Sequence, residues 1–343
     1  MKLILHAGAG KTGSTSIQST LEKNDKSLRE QGVLYLGLML ENAPVKKYEW
    51  QQKSSHVPSF HHKPVNELTK EILDVLQPTL VFAREEGFHT LIWSNESFID
   101  GPQNFVEALN ILAREGNEIQ IVIYVREYAS WMKSAYIQWG LKHKTYDGPL
   151  QKFSKWAPSH APKFFKKIDH LTKRLTSGKV FVRNMNEVGD VVKDFLNFSG
   201  IKTEKILFSR DNDSPKGEEL LLRALFNSKY DEKVLPARFE NIFGRKIPFE
   251  STPKEYLEDL LPDEDDVSVA LEASKEDLEQ LNSLLVQQGQ NPLKYSKTQR
   301  KEVEIDSEKL LMALADMLMQ QSRRIDRLER LLKEINPEES KKN

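Results

Sequence analysis

The amino-acid sequence predicts an α/β fold: a mostly parallel β-sheet flanked by helices, followed by a long C-terminal helix. Three observations lead there. Short apolar runs at residues 3–5, 33–40, 90–93 and 119–125 recur at intervals that leave room for a helix, the alternation that builds parallel sheets. The stretches after the first and last of these runs repeat their apolar residues at helical steps, and the helical stretches stop at glycine, at Gly32, Gly116 and Gly140. From Ser307 onward the apolar residues step alternately by three and four, the mark of a heptad helix.

Composition narrows the function classes. The 343 residues carry a formal net charge of −1, which argues against a general polyanion binder and leaves any nucleic-acid or membrane-surface role to a local basic patch. The chain has no cysteine, so disulfides, thiolate metal sites and cysteine nucleophiles are excluded. No stretch approaches the roughly 20 apolar residues of a transmembrane helix, and charge and glycine interrupt the N-terminal run after Leu5. The sequence therefore reads as soluble and cytoplasmic. Its divisions read as an α/β domain over 1–250, a helical extension or linker over 251–302, a heptad helix over 303–336 and a disordered tail over 337–343.

The first element carries the most chemistry. In KLILHAGAGKTGSTSIQST (2–20) an apolar strand meets a Gly/Lys/Ser/Thr cluster and then a helix opening near Ser14. Gly8, Gly10 and Gly13 permit a tight turn and a close approach of backbone to ligand. Helix N-termini favour anions, to which Lys11 adds a full charge and Thr12, Ser14 and Thr15 add hydroxyl donors. The nucleotide-triphosphate pattern is only half met: Gly10-Lys11-Thr12 fits, but Leu5 stands where the first glycine belongs. The stretch reads as a variant phosphate cradle, with Gly10, Lys11, Thr12, Gly13, Ser14 and Thr15 as the binding residues.

One helix is expected from the loop to Gly32, then a second buried strand, VLYLGLML (33–40). Residues 42–64, with His56, His61 and His62, show no clean period and read as a long loop, a solvated one or a wall of the site. A helix over 65–88 leads to a third strand, Thr90 to Trp93, which ends in Ser94-Asn95-Glu96-Ser97. Ligands of open parallel sheets bind beyond the carboxyl ends of the strands, so Glu96 shares a rim with Lys11. It reads either as a general base or as part of a helix cap. After a helix over 103–115, IQIVIYV (119–125) is a continuous buried strand running into Arg126. Ser134 follows eight residues later within a helix over 126–140. A strand-end arginine and a hydroxyl two turns on suit a phosphate monoester.

With HAGAGKTGSTSIQ (6–18) and YVREYASWMKSAY (124–136) both in hand, the sequence resembles the sulfotransferases that use 3′-phosphoadenosine 5′-phosphosulfate (PAPS), in their bacterial and carbohydrate-type form. FVRNMNEVGDVVKDFLNFSGI (181–201) resembles that family's next strand and helix, and RDNDSP (210–215) its following turn. The resemblance implies a P-loop-type sheet, PAPS as donor with no metal required, the loop on the 5′-phosphosulfate, and Arg126 with Ser134 on the 3′-phosphate. It implies Lys11 and Glu96 as catalytic residues, with His89 and His6 as alternate bases, and a glycan or glycolipid acceptor. The family's C-terminal basic run has only a reordered counterpart here, Gly244-Arg245-Lys246.

Three further readings stand beside these. Trp50, His56, Phe60, His61, His62, Trp131 and Trp139 read either as an acceptor wall or as core. Leu311, Leu314, Leu318, Gln321, Ile325, Leu328, Leu332 and Ile335 form a seam that reads as one helix on its own domain or as a coiled coil making homo-oligomers, with Gln321 setting register. The alternatives to sulfuryl transfer are a P-loop ATP-dependent kinase or NTPase and an inactive sulfotransferase-like assembly protein.

Overall fold

The computed structural model describes residues 1–52, 57–209, 217–243, 260–294 and 307–335. His56, the 210–215 turn, Gly244-Arg245-Lys246 and the 337–343 tail lie outside the described residues. The chain forms two compact units that interleave along the sequence. The first comprises Met1–Trp131, Pro162–Asn212 and Ala273–Ser296, and the second Met132–Ala161, Asp213–Glu272 and Lys297–Asn343.

In the first unit, β1 (Lys2–His6), β2 (Val33–Tyr35), β3 (Thr90–Ser94), β4 (Glu118–Val125) and β5 (Lys179–Asn184) make one parallel sheet in the order β2-β3-β1-β4-β5. The helices, in chain order through both units, begin with α1 (Ser14–Lys23), α2 (Asp25–Glu30), α3 (Val57–His62), α4 (Val65–Glu85), α5 (Val106–Arg114) and α6 (Tyr128–Ala135). They continue with α7 (Phe153–Trp156), α8 (Phe164–Arg174), α9 (Val191–Phe198), α10 (Gly217–Asn227) and α11 (Pro236–Phe243). The last three are α12 (Glu264–Glu272), α13 (Lys275–Gln287) and α14 (Ser307–Ile335).

Strand alternation divides the sheet's side chains between two layers. Ile4, Ile92, Val122 and Tyr124 pack with Ile17, Leu21 and Leu28 of α1 and α2 and with Phe195 and Leu196 of α9. The alternate residues Leu3, Leu5, Leu91 and Trp93 are fully buried as well, and α4 and α5 pack together with α5 against β4. The central strand β1 is therefore covered on both faces.

Two expected elements are shorter than their apolar runs. The helix expected up to Gly32 is α1 and α2, broken at Asn24, because the Asn24 side chain bonds elsewhere. Its amide donates to the carbonyls of Thr20 (2.7 Å) and Leu207 (2.9 Å), and its oxygen accepts from Leu207 N (2.9 Å). The strand expected over 33–40 ends at Tyr35, since Gly37 and Leu40 adopt φ of +88° and +56° and the Glu41 carboxylate accepts from the amides of Leu38 and Met39. Leu36, Met39 and Leu40 stay buried in the turn, so the run reported burial and not conformation.

In the second unit, the helical chain that begins with α6 continues as a π-helical turn, Tyr136–Lys142, against which α10 packs. Gly140 is required there: a Cβ at this position would lie 2.3 Å from the Tyr136 ring. Lys144 is fully buried and donates to the carbonyls of Tyr230 (2.7 Å) and Glu232 (2.9 Å), tying two loops together. Leu222, Phe239 and Met317 form a small core with Phe226. Among the described residues, no helix is long and apolar enough to cross a membrane.

The Asn24 bridge makes a stability prediction. Asn24→Ala should lower unfolding stability by about 1–2 kcal/mol in urea, since it removes a buried hydrogen bond to the Thr20 carbonyl and two part-buried ones to the Leu207 backbone. Asn24→Asp, which keeps the acceptor for Leu207 N, should fall between the two.

Candidate functional site

Parallel pairing sets β1 between β3 and β4, so the segments leaving all three strands share one edge. The connection from β1 runs toward β2, that from β4 toward β5, which makes the β1–β4 edge the point where the strand order reverses. Open α/β sheets bind ligands at such points. The β1–α1 loop, Glu96 and Arg126 all lie at this edge.

The loop is held in a costly shape. Gly10 and Gly13 have φ of +58° and +88°, and Lys11, with a side chain, sits at +54°. A non-glycine residue there costs on the order of 1 kcal/mol or more and persists only where its surroundings enforce it. The enforcing contacts come from one segment. The Trp131 indole N–H reaches the carbonyls of Ala9 (3.2 Å) and Gly10 (3.1 Å), and Arg126 donates to the carbonyl of Lys11 (3.3 Å). Gly8 is hemmed in, since a Cβ there would meet Ser14 Oγ at 2.1 Å and Glu96 Cβ at 3.4 Å.

The groups around this loop are of the kinds that can hold an anion. Helix α1 starts at Gly13 with no side-chain cap and no acidic residue in its first turn, which leaves its N-terminal amides and positive dipole end to a ligand. Thr12 Oγ1 and Ser14 Oγ are buried and have no hydrogen-bond partner among the described residues. Such hydroxyls are rare in a folded protein without a ligand or water to satisfy them. Arg126 is partly buried, and burial pulls its guanidinium below its ordinary value, a shift that the neighbouring Glu127 charge opposes. No ion pair joins Arg126 to a carboxylate among the described residues. Ser134 sits half-buried on α6, and the boundary between the units falls between Trp131 and Met132 of that helix.

Glu96 opens a 3₁₀ turn, Glu96–Phe98, directly after β3. The cap of that turn is Asn95, whose Oδ1 accepts from Ser97 N at 2.9 Å, so the capping role does not fall on Glu96. A short hydrogen-bond chain supports the turn. Asn95 Nδ2 donates to the Leu38 carbonyl (3.0 Å), which fixes the amide's orientation and leaves Oδ1 to take the Ser97 hydroxyl proton (2.5 Å). His61 Nε2, 2.6 Å from Ser97 Oγ, must then be the donor, and His61 Nδ1 is buried without a partner. This support was not legible in the sequence, where His61 stood in an aperiodic loop.

The alternate bases separate by position. His6 is fully buried, packed against Tyr124 and Phe195, with Nδ1 on Ser94 Oγ at 2.8 Å, and burial lowers its pKa to about 3. His89 precedes β3 and bonds through its carbonyl to Lys2 N, so it lies at the opposite, amino edge of the sheet, away from Lys11. Of the aromatics read as wall or core, Trp50, Phe60, His61 and Trp131 are buried. Trp139, on the π-helical turn, is half-buried. Glu127, which the sequence reading passed over, is buried and caps α6 through the amides of Ala129 (2.9 Å) and Ser130 (2.7 Å). Its place just before a helix is the signal that could have found it. Among the described residues, no group of three or more His, Asp or Glu side chains is arranged to hold a metal ion.

No family model and no curated protein matches the chain. Solved structures with distant similarity include the following two. One is retinol dehydratase in complex with androsterone and the inactive cofactor PAP, at 10% identity over 86% of this chain and 83% of that one, with a TM-score of 0.32. The other is the PezAT chromosomal toxin-antitoxin system of Streptococcus pneumoniae, at 14% identity over 66% of this chain and 84% of that one, with a TM-score of 0.21.

The buried histidines make stability depend on pH. Burial, with the His62 charge adding to it and Asp100 opposing, lowers the His61 pKa to about 4. The unfolded chain, with an ordinary histidine pKa near 6.5, takes up a proton that the folded chain refuses between those values, so stability falls as pH drops from 6.5 toward 4. His61→Gln keeps an N–H donor for Ser97 but cannot titrate. Urea unfolding should show the wild type losing stability more steeply than this variant across that window, by about 1 kcal/mol per pH unit. Equal slopes would mean that His61 is protonated normally in the fold.

Proposed function

We propose that this protein is a sulfotransferase that moves a sulfuryl group from PAPS to a hydroxyl or amine of an acceptor, a glycan or glycolipid. The observation that carries the reading is the pair of buried, unsatisfied hydroxyls of Thr12 and Ser14 at the uncapped start of α1, beside the strained Lys11. The residues fit the donor. Gly10, Lys11, Thr12, Gly13, Ser14 and Thr15 would hold its 5′-phosphosulfate, and Arg126 with Ser134 its 3′-phosphate. The donor supplies an activated sulfuryl group on a phosphate leaving group. Lys11 and the N-terminal amides of α1 stabilise negative charge developing on the phosphate oxygen, where preorganised donors act most strongly. Glu96 takes the proton of the acceptor as general base. Arg126 supplies binding and orientation more than rate.

One observation favours a second reading. The strand order, with Glu96 at the end of β3 beside the loop, would also suit a nucleoside triphosphate whose cation is held by Glu96, as in an ATP-dependent kinase. Against it stand Leu5 in place of the first glycine of the triphosphate loop and Arg126 at the end of β4.

Calorimetric titration separates the two. 3′-Phosphoadenosine 5′-phosphate should bind more tightly than ATP with magnesium, and Arg126→Ala should weaken it ten- to a hundredfold, the worth of about 1.5–3 kcal/mol for hydrogen bonds to a charged group. Tighter ATP binding reverses the assignment. With ³⁵S-labelled PAPS and a panel of glycans, Lys11→Ala should lose transfer, and full activity in that variant would exclude this mechanism.

A further inference from the structure

Helix α13 presents Asp277, Leu281 and Leu285 at steps of four, one stripe along its length. Leu281 and Leu285 are fully buried and α13 packs on α8, so this stripe is the face turned to the first unit, and Asp277 extends it to the helix start. The far end is tied to the edge of the sheet. Gln288 accepts from Val182 N at 2.7 Å and donates to the Val180 carbonyl at 3.1 Å, both on β5.

Held in this way, Asp277 serves two other helices. Its Oδ1 accepts from Lys166 N (2.9 Å) and its Oδ2 from Phe165 N (3.1 Å), first-turn amides of α8. Helix α8 lacks a cap of its own, since Lys163 before it makes no capping bond and its first turn carries no acid. The same carboxylate accepts from the Tyr128 hydroxyl at 2.5 Å, at the start of α6. Burial, with the Asp277 charge adding to it, pushes the Tyr128 phenol up, so the phenol keeps its proton and is the donor.

The starts of these two helices support Trp131. The ring of Phe164, the first residue of α8, meets the Tyr128 ring edge-on at 5.1 Å and the Trp131 ring edge-on at 5.3 Å, and all three side chains are buried. Glu127 fixes the backbone at the start of α6, whereas the tilt of the indole depends on the rings it packs against. That tilt matters because one N–H is shared between the carbonyls of Ala9 (3.2 Å) and Gly10 (3.1 Å). A movement of about 0.5 Å takes such a donor out of hydrogen-bond range of one acceptor.

We propose that Asp277 is a positioning residue of the loop site: by holding Tyr128 and the start of α8 it sets Phe164 against Trp131, and with it the grip of Trp131 on the Ala9 and Gly10 carbonyls. Every link is a hydrogen bond or a ring contact within the first unit. A distant segment of the chain thereby keeps the loop preorganised for an anion. The consequence for donor binding rests on the function proposed above; the placement of Trp131 does not.

5-Fluorotryptophan labelling gives one fluorine resonance for each of the five tryptophans, and Trp131→Phe assigns that of Trp131. Asp277→Ala, and the milder Tyr128→Phe, which keeps the ring and the α8 cap, should each move or broaden the Trp131 resonance and leave those of Trp50 and Trp93 in place. An unmoved Trp131 resonance in either variant, or an equal shift of all three, overturns the proposal. If Asp277→Ala loses every native resonance it has unfolded, and Tyr128→Phe decides. In calorimetric titration with 3′-phosphoadenosine 5′-phosphate, Asp277→Ala should weaken binding about tenfold in the wild-type background and little further in the Trp131→Phe background, as residues acting through one contact do. Equal weakening in both backgrounds overturns the route through Trp131. A wild-type chain that does not bind this nucleotide counts against the donor assigned above, and the fluorine spectra then decide the role of Asp277 by themselves.

Discussion

Three consecutive carbonyls of the β1–α1 loop are gripped from one side: the Trp131 indole holds those of Ala9 and Gly10, and Arg126 holds that of Lys11. The site depends on this grip. It enforces the left-handed backbone at Gly10 and Lys11, which would otherwise relax, and it sets where α1 begins. The uncapped amides of α1, the buried hydroxyls of Thr12 and Ser14 and Lys11 all belong to this loop and helix start. The close quarters around Gly8 and Gly13, where a Cβ would meet Ser14 in the first case and Val191 at 2.5 Å in the second, show how little room the loop has to adopt another path. A loop that is rigid before a ligand arrives gives up less conformational entropy on binding.

That grip became possible through the order of the strands, and the order was only partly legible. The runs at 3–5, 90–93 and 119–125 announced buried parallel strands, because a strand covered on both faces needs continuous apolar residues and leaves no polar alternation to confuse the reading. The polar residues just after these runs, Lys11, Glu96 and Arg126, were recognisable by position. Which strands are neighbours is a property of packing between distant segments, and no local pattern records it.

The supporting residues were the least legible. Trp131, Trp50 and Phe60 are aromatic in either role, and sequence could not say whether their faces meet solvent or neighbours. Trp131 proves decisive for its indole N–H, a single donor whose two acceptors lie more than a hundred positions earlier. Asn24 breaks a helix whose apolar positions Ile17, Leu21 and Leu28 continue in phase on both sides, so periodicity passes straight through the break. His61 gained its place from Ser97 and Asn95, which lie on a different element. The two units interleave along the chain, which a division by composition shifts cannot reproduce.

The charges around the loop sharpen what it can hold. His6, directly below it, is kept neutral by burial, so it adds a packing surface and no positive charge at ordinary pH. Lys11 and Arg126 bring full positive charges to this edge. The acid nearest to Arg126 in sequence, Glu127, is committed to the amides of Ala129 and Ser130 at the start of α6. A carboxylate held by two backbone donors in a buried cap has little capacity left to ligate a cation, and withdrawing it would leave those amides unpaired at a cost of about 1–3 kcal/mol. Just beyond the end of β4, Arg126 therefore makes no carboxylate ion pair among the described residues, while Glu96 stands just beyond the end of β3.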